Sequence, residues 1–126
     1  MGQLFLYYGE ESFLVEEAIQ QLKDQNVGKE IQTLSTSFEL QELLMSLATV
    51  DMFSSAKLIL IKNPWPLTKT LSDKDLETFK ELCLSVSAAP HDIAFYLVDQ
   101  SIDMRKKQNS FLKKQATVQN FDSFKG

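Results

Sequence analysis

Little in this sequence would support catalysis by a familiar route. It holds one cysteine, Cys83, and one histidine, His91, in 126 residues. A single cysteine excludes an internal disulfide, and nothing in the chain points to an oxidising compartment. No group of Cys, His, Asp and Glu has the spacing of metal ligands. No run approaches the roughly 18 consecutive apolar residues of a membrane span, and the first residues lack the basic segment and apolar stretch of a secretory signal. Positive charge is in deficit too: 13 Lys and Arg stand against 17 Asp and Glu, for a net charge of −4 and a pI of about 5.0. An isolated, non-specific nucleic-acid binder would be basic. These absences leave a cytoplasmic globular domain with no membrane partner, and its length suits one domain.

What is present is a regular alternation. Leu4 to Tyr8 is continuously apolar and aromatic, as a strand buried on both faces should be. Val15, Ala18, Ile19 and Leu22 then recur at helical spacing. Ile31 to Leu34 is a short strand. Thr36 and Glu39 have the spacing of a capping box ahead of a helix with Leu40, Leu43, Leu44 and Leu47 on one face. Leu58 to Ile61, "LILI", is the clearest buried strand, and "KNPWP" stops it because proline cannot donate to a ladder. Trp65, between two prolines, reads as part of a rigid loop packed on the domain. Ser72 and Asp75 can cap a third helix, whose apolar face is Leu76, Phe79, Cys83 and Val86. Ile93 to Val98 is another strand, Met104 to Gln115 a basic, polar helix, and Val118 to Phe121 a last short strand. The order β-α-β-α-β-α-β-α-β predicts an α/β fold: a five-stranded parallel sheet with helices on both faces, in three layers.

Open parallel sheets bind ligands at the carboxyl ends of their strands. After the first strand comes Gly9-Glu10-Glu11-Ser12, which keeps the strand–glycine–helix frame of a phosphate-binding loop but has neither the second glycine nor the lysine. Two carboxylates stand where a helix N-terminus would attract an anion. After the third strand Lys62 stands where a phosphohydrolase would place an acidic residue to organise magnesium. Asp99, after the fourth, reads as a cap or turn former. Cys83 reads as a small buried hydrophobe, and His91 has no acidic or thiol partner that would make it catalytic. Catalytic, cofactor-binding and metal-ligating residues are accordingly none.

Two stretches carry binding potential. "LATVDMFSSAKLILI", Leu47 to Ile61, puts Val50, Met52 and Phe53 in a short connection between helix and strand. Connections lie on the surface, so these side chains either tuck under the helix or anchor a partner; burying a Met or Phe in a pocket contributes roughly 1.5–3 kcal/mol each. The second stretch, "MRKKQNSFLKK", presents Arg105, Lys106 and Lys107 to solvent, where they are weak candidates for contact with a nucleic-acid backbone.

Taken in order, "YYGEESFLVEEAIQQLK", "DMFSSAKLILIKNP", "DIAFYLVDQSIDMRKKQNSFLKK" and "ATVQNFDSF" resemble the opening strand and helix, the clamp-contacting loop with the third strand, the fourth strand with the segment after it, and the final strand of the N-terminal domain of the bacterial DNA polymerase III delta subunits. The resemblance implies an AAA+-like core without its P-loop over residues 1–126, with no counterpart here of the family's second small domain and C-terminal collar domain. It implies a non-catalytic, cofactor-free component of the DNA polymerase III holoenzyme that binds and opens the beta sliding clamp in DNA replication, while other clamp-loader subunits handle ATP and DNA is met only in the full assembly. In the family a hydrophobic pair on the loop after the second helix enters a pocket of the clamp. The matching residues are Met52 and Phe53, flanked by Val50 and Asp51, and methionine there keeps the bulk of the leucine familiar at its position. Three other readings compete: a delta-prime-type relative, whose usual zinc site one cysteine cannot supply; a divergent P-loop nucleotide-binding domain; and a flavodoxin-like binding module.

Overall fold

Continuous apolar runs become the centre of a sheet. The computed structural model describes residues 2–48, 56–100 and 102–121. The strands β1 (Leu4–Tyr8), β2 (Glu30–Leu34), β3 (Lys57–Lys62), β4 (Asp92–Tyr96) and β5 (Thr117–Asn120) form one sheet in the order β2-β3-β4-β1-β5. Every pairing is parallel. The inner strands β1, β3 and β4 are buried on both faces, which is why they read as unbroken hydrophobic runs. The edge strands β2 and β5 are more polar and more exposed.

Alternation along the inner strands supplies two cores. On one face Phe5, Tyr7, Leu58, Leu60 and Ala94 meet Val15, Ile19 and Leu22 of α1 (Ser12–Gln25). On the other, Leu4, Leu6, Ile59, Ile61, Ile93 and Phe95 meet α2 (Leu40–Ala48), α4 (Asp73–Val86) and α5 (Lys107–Gln115) through Leu43, Leu47, Phe79, Leu82, Cys83 and Leu112. Phe79 and Phe95 pack with ring centres 5.9 Å apart. Burial pushes the Cys83 thiol up to about 12, so at neutral pH it is a protonated core side chain. The expected α/β fold is thus the observed one, with α1 alone on one face of the sheet.

The structure differs from the sequence reading in local detail. Trp65–Thr68 forms a short helix, α3, where a loop was expected. Pro66 lies in its first turn, where the missing N–H would have had no helical partner. The α2 helix starts at Leu40, too late for a Thr36–Glu39 box, and the Thr36 hydroxyl instead donates to Lys62 O at 3.0 Å. The Ser72 cap forms as read: its Oγ accepts the Asp75 N–H at 3.2 Å. The α5 helix begins at Lys107, because Met104 to Lys106 form a turn in which Arg105 N–H donates to Asp103 Oδ1. Leu97 and Val98 lie beyond the β4 ladder, though both are buried.

Candidate functional site

The sheet has two edges at which connections gather. Each helix carries the chain from the carboxyl end of one strand to the amino end of the next. Residues just after strands therefore line the carboxyl edge, and helix C-termini line the amino edge.

At the carboxyl edge the order of strands reverses between β1 and β4. The helix leaving β1 lies on one face and the helix leaving β4 on the other. This is the crevice in which an open α/β sheet holds its ligand, and here it is closed. Leu97 N–H donates to Tyr7 O at 2.9 Å. The Ser12 hydroxyl donates to Asp99 Oδ1 at 2.6 Å and accepts the Asp99 N–H at 3.0 Å, joining the start of α1 to the end of β4. Asp99 holds a positive φ of 60°, a turn geometry that a short polar side chain tolerates, which bears out its reading as a turn former. Gly9 is held against β5: a Cβ there would come within 2.4 Å of the Phe121 backbone. Phe121 N–H donates to Tyr8 O at 2.7 Å and Phe121 O accepts the Glu11 N–H at 3.0 Å. The N–H groups of Glu11, Ser12 and Leu14, which could cradle a phosphate, all have backbone acceptors.

The remaining strand ends are sewn together in the same way. Lys62, at the end of β3, reaches Glu16 of α1 at 3.2 Å. Asn63, at φ 48°, donates its N–H to Tyr96 O and accepts the Val98 N–H on Oδ1, both at 2.7 Å. Trp65 Nε1 donates to Phe38 O at 2.6 Å and the two rings pack together. Gln108 donates to Pro66 O and Lys69 O, and Asn109 to Leu67 O and Asp103 O, so two buried amides satisfy carbonyls around α3. The sequence reading missed Asn63, Gln108 and Asn109. Asn63 carried a usable signal, an Asn directly after a strand. The two amides carried none, because a polar pair in a basic helix reads as solvated.

The basic turn stands beside them. The Arg105 guanidinium lies over Asp103, with Nε–Oδ1 at 3.0 Å and Nη2–Oδ2 at 3.2 Å. This hydrogen bonding holds the Asp103 carboxyl below its usual range and the guanidinium above its own. Lys106 Nζ donates to Thr70 Oγ1 at 3.2 Å, and Lys107 opens α5. Sequence and structure agree in placing all three on the carboxyl edge.

The amino edge is built differently. Val50, Asp51, Met52 and Phe53 lie outside the described residues, but their flanks are placed. Leu47, near the end of α2, is buried, and Ala56 precedes β3. Beside that connection, α2 and α4 enclose an apolar groove of about 370 Å³, lined by Leu44, Met45, Leu47, Glu81, Ser85, Ala88 and Ala89. Met45, 61% exposed, and Leu84, 55% exposed, extend apolar surface around it. Among the described residues no group of three or more His, Cys, Asp and Glu could hold a metal ion, and no helix is long and apolar enough to cross a membrane.

Comparison with known proteins gives the same direction. The family model described as DNA polymerase III, delta subunit, matches residues 5–122. No curated protein matches the chain. Among solved structures, the Bacillus subtilis DNA clamp loader delta protein (YqeN) is similar in fold, with a TM-score of 0.69 at 18% identity. That match covers 98% of this chain and 39% of that protein, so the chain spans about two fifths of the relative's length.

Proposed function

Because the chain belongs to the DNA polymerase III delta-subunit family, we propose that it is the clamp-binding domain of a delta-type clamp-loader subunit, acting in the cytoplasm during DNA replication without hydrolysing ATP. Family membership over residues 5–122 is the observation that carries this reading. Met52 and Phe53, flanked by Val50 and Asp51, are the anchor that enters a pocket on the beta sliding clamp. Such a pair acts as a hot spot when its apolar surface is removed from water. The mechanism is mechanical: a subunit opens a closed ring only to the extent that it binds the open interface more tightly than the closed one. The other loader subunits are partners through segments beyond this chain, and Arg105, Lys106 and Lys107 supply weak phosphate contacts once DNA enters the assembly.

The closed carboxyl edge favours this reading over a divergent nucleotide-binding domain. The N–H groups that would take a phosphate are bonded to backbone carbonyls, and Asp99 sits over the crevice.

Calorimetric titration of the domain with a bacterial beta clamp, beside a Met52→Ala/Phe53→Ala double variant, tests the proposal. The parent binds, and the folded variant loses at least about 2 kcal/mol. A parent that binds ATP with magnesium and ignores a cognate clamp overturns the reading.

A further inference from the structure

His91 is 6% exposed, and its use is unexplained by the fold alone. Its Nδ1 accepts the backbone N–H of Lys57 at 3.0 Å. Lys57 is the first residue of β3, and one residue ahead of it Ala56 O accepts the Glu30 N–H at 3.1 Å. These two bonds fix the downstream root of the 49–55 connection. The Ala56 bond is peptide to peptide, as in any ladder. The Lys57 bond depends on a side chain that can take up a proton.

We propose that His91 is a positioning residue for the 49–55 connection, holding the Lys57 backbone through neutral Nδ1 and releasing it when the ring is protonated. An imidazolium has an N–H at both nitrogens, so at Nδ1 a donor would face the Lys57 donor and the bond would be lost. Among the described residues, the charged groups around the ring are Lys57 on β3 and Asp92, its neighbour on β4. Asp92 is already engaged: it accepts Lys29 Nζ at 2.5 Å and the Gln3 N–H at 2.7 Å. Glu30 of β2 stands opposite Lys57 in the ladder. Burial, reinforced by Lys57 and opposed by Asp92, holds the ring below its ordinary 6.5. The neutral, accepting form is therefore the one present at neutral pH, and acid is what opens the bond.

The consequence for affinity rests on the clamp-binding reading above; the latch itself does not. In the test, His91→Asn offers Oδ1 as a non-titrating acceptor in place of Nδ1, and His91→Leu offers none. The amide protection factor of Lys57 and the affinity for a bacterial beta clamp are measured at pH 7.5 and pH 5.0 for the parent and both variants. In the parent, Lys57 protection falls about fivefold or more at pH 5.0, the equivalent of one hydrogen bond. In the Asn variant it holds, and in the Leu variant it is low at both values. Clamp affinity follows the same pattern. Equal acid loss of Lys57 protection in the parent and the Asn variant overturns the latch. Protection that follows the prediction, with no clamp binding by any variant, leaves the latch standing and overturns the clamp reading together with its effect on affinity.

Discussion

The carboxyl and amino edges of this sheet are built from the same kinds of connection and treated in opposite ways. At the carboxyl edge each strand end is tied to a neighbour: β1 to β5 through Phe121, β3 to β4 through Asn63, and α1 to β4 through Ser12 and Asp99. At the amino edge α2 and α4 leave an apolar groove, and the connection beside it carries Val50, Met52 and Phe53. In an open α/β sheet it is the carboxyl edge that normally holds the ligand. Once the phosphate-binding groups are gone, its unsatisfied N–H groups and crevice are a cost to stability, and internal hydrogen bonds remove that cost. The amino edge carries no such constraint and is available for a protein partner.

The comparison predicts that damage to the carboxyl edge appears as lost stability and leaves clamp affinity nearly unchanged. Gly9→Ala should do most harm, since the new Cβ meets the Phe121 backbone and φ there is 150°. A loss of about 3 kcal/mol in urea unfolding is expected. Gln108→Ala comes next, because it leaves Pro66 O and Lys69 O without their donor; about 2 kcal/mol should be lost by the same measurement. Ser12→Ala, at a more exposed pair, should cost about 1 kcal/mol. A carboxyl-edge variant that stays folded at the assay temperature yet loses clamp binding would break the comparison. The smallest effect is a slope. With the folded pKa of His91 below 6.5, the unfolded chain binds the proton more readily. Stability from this group is complete above pH 6.5 and is lost as pH falls towards the folded pKa. His91→Asn should flatten that part of a pH–stability curve.

The architecture was legible because its signals are local. The runs at Leu4–Tyr8 and Leu58–Ile61 and the helical spacing of Val15, Ile19 and Leu22 each report burial through nearest neighbours in sequence. The closing of the carboxyl edge was legible only in part. The missing lysine at Gly9–Ser12 and the presence of Lys62 show that phosphate chemistry is gone, but not what replaces it. The replacements are long-range: Ser12 with Asp99, Asn63 with Val98, Gln108 with Pro66. No periodicity encodes them. Thr36 shows the converse: a capping pattern fits the local spacing, and a carbonyl 26 residues away takes the hydroxyl instead. At the amino edge, His91 looked idle because its partner is a backbone N–H, which leaves no trace in residue identity.

Hydrogen–deuterium exchange of the domain with and without a bacterial beta clamp tests the central claim most directly. The account predicts added protection at the amino edge, in peptides covering Leu44–Lys57 and Leu84–His91, and none at Gly9–Leu14 or at Asn63. Protection concentrated at Gly9–Leu14, Asn63 and Asp99, with the amino edge unchanged, would contradict it.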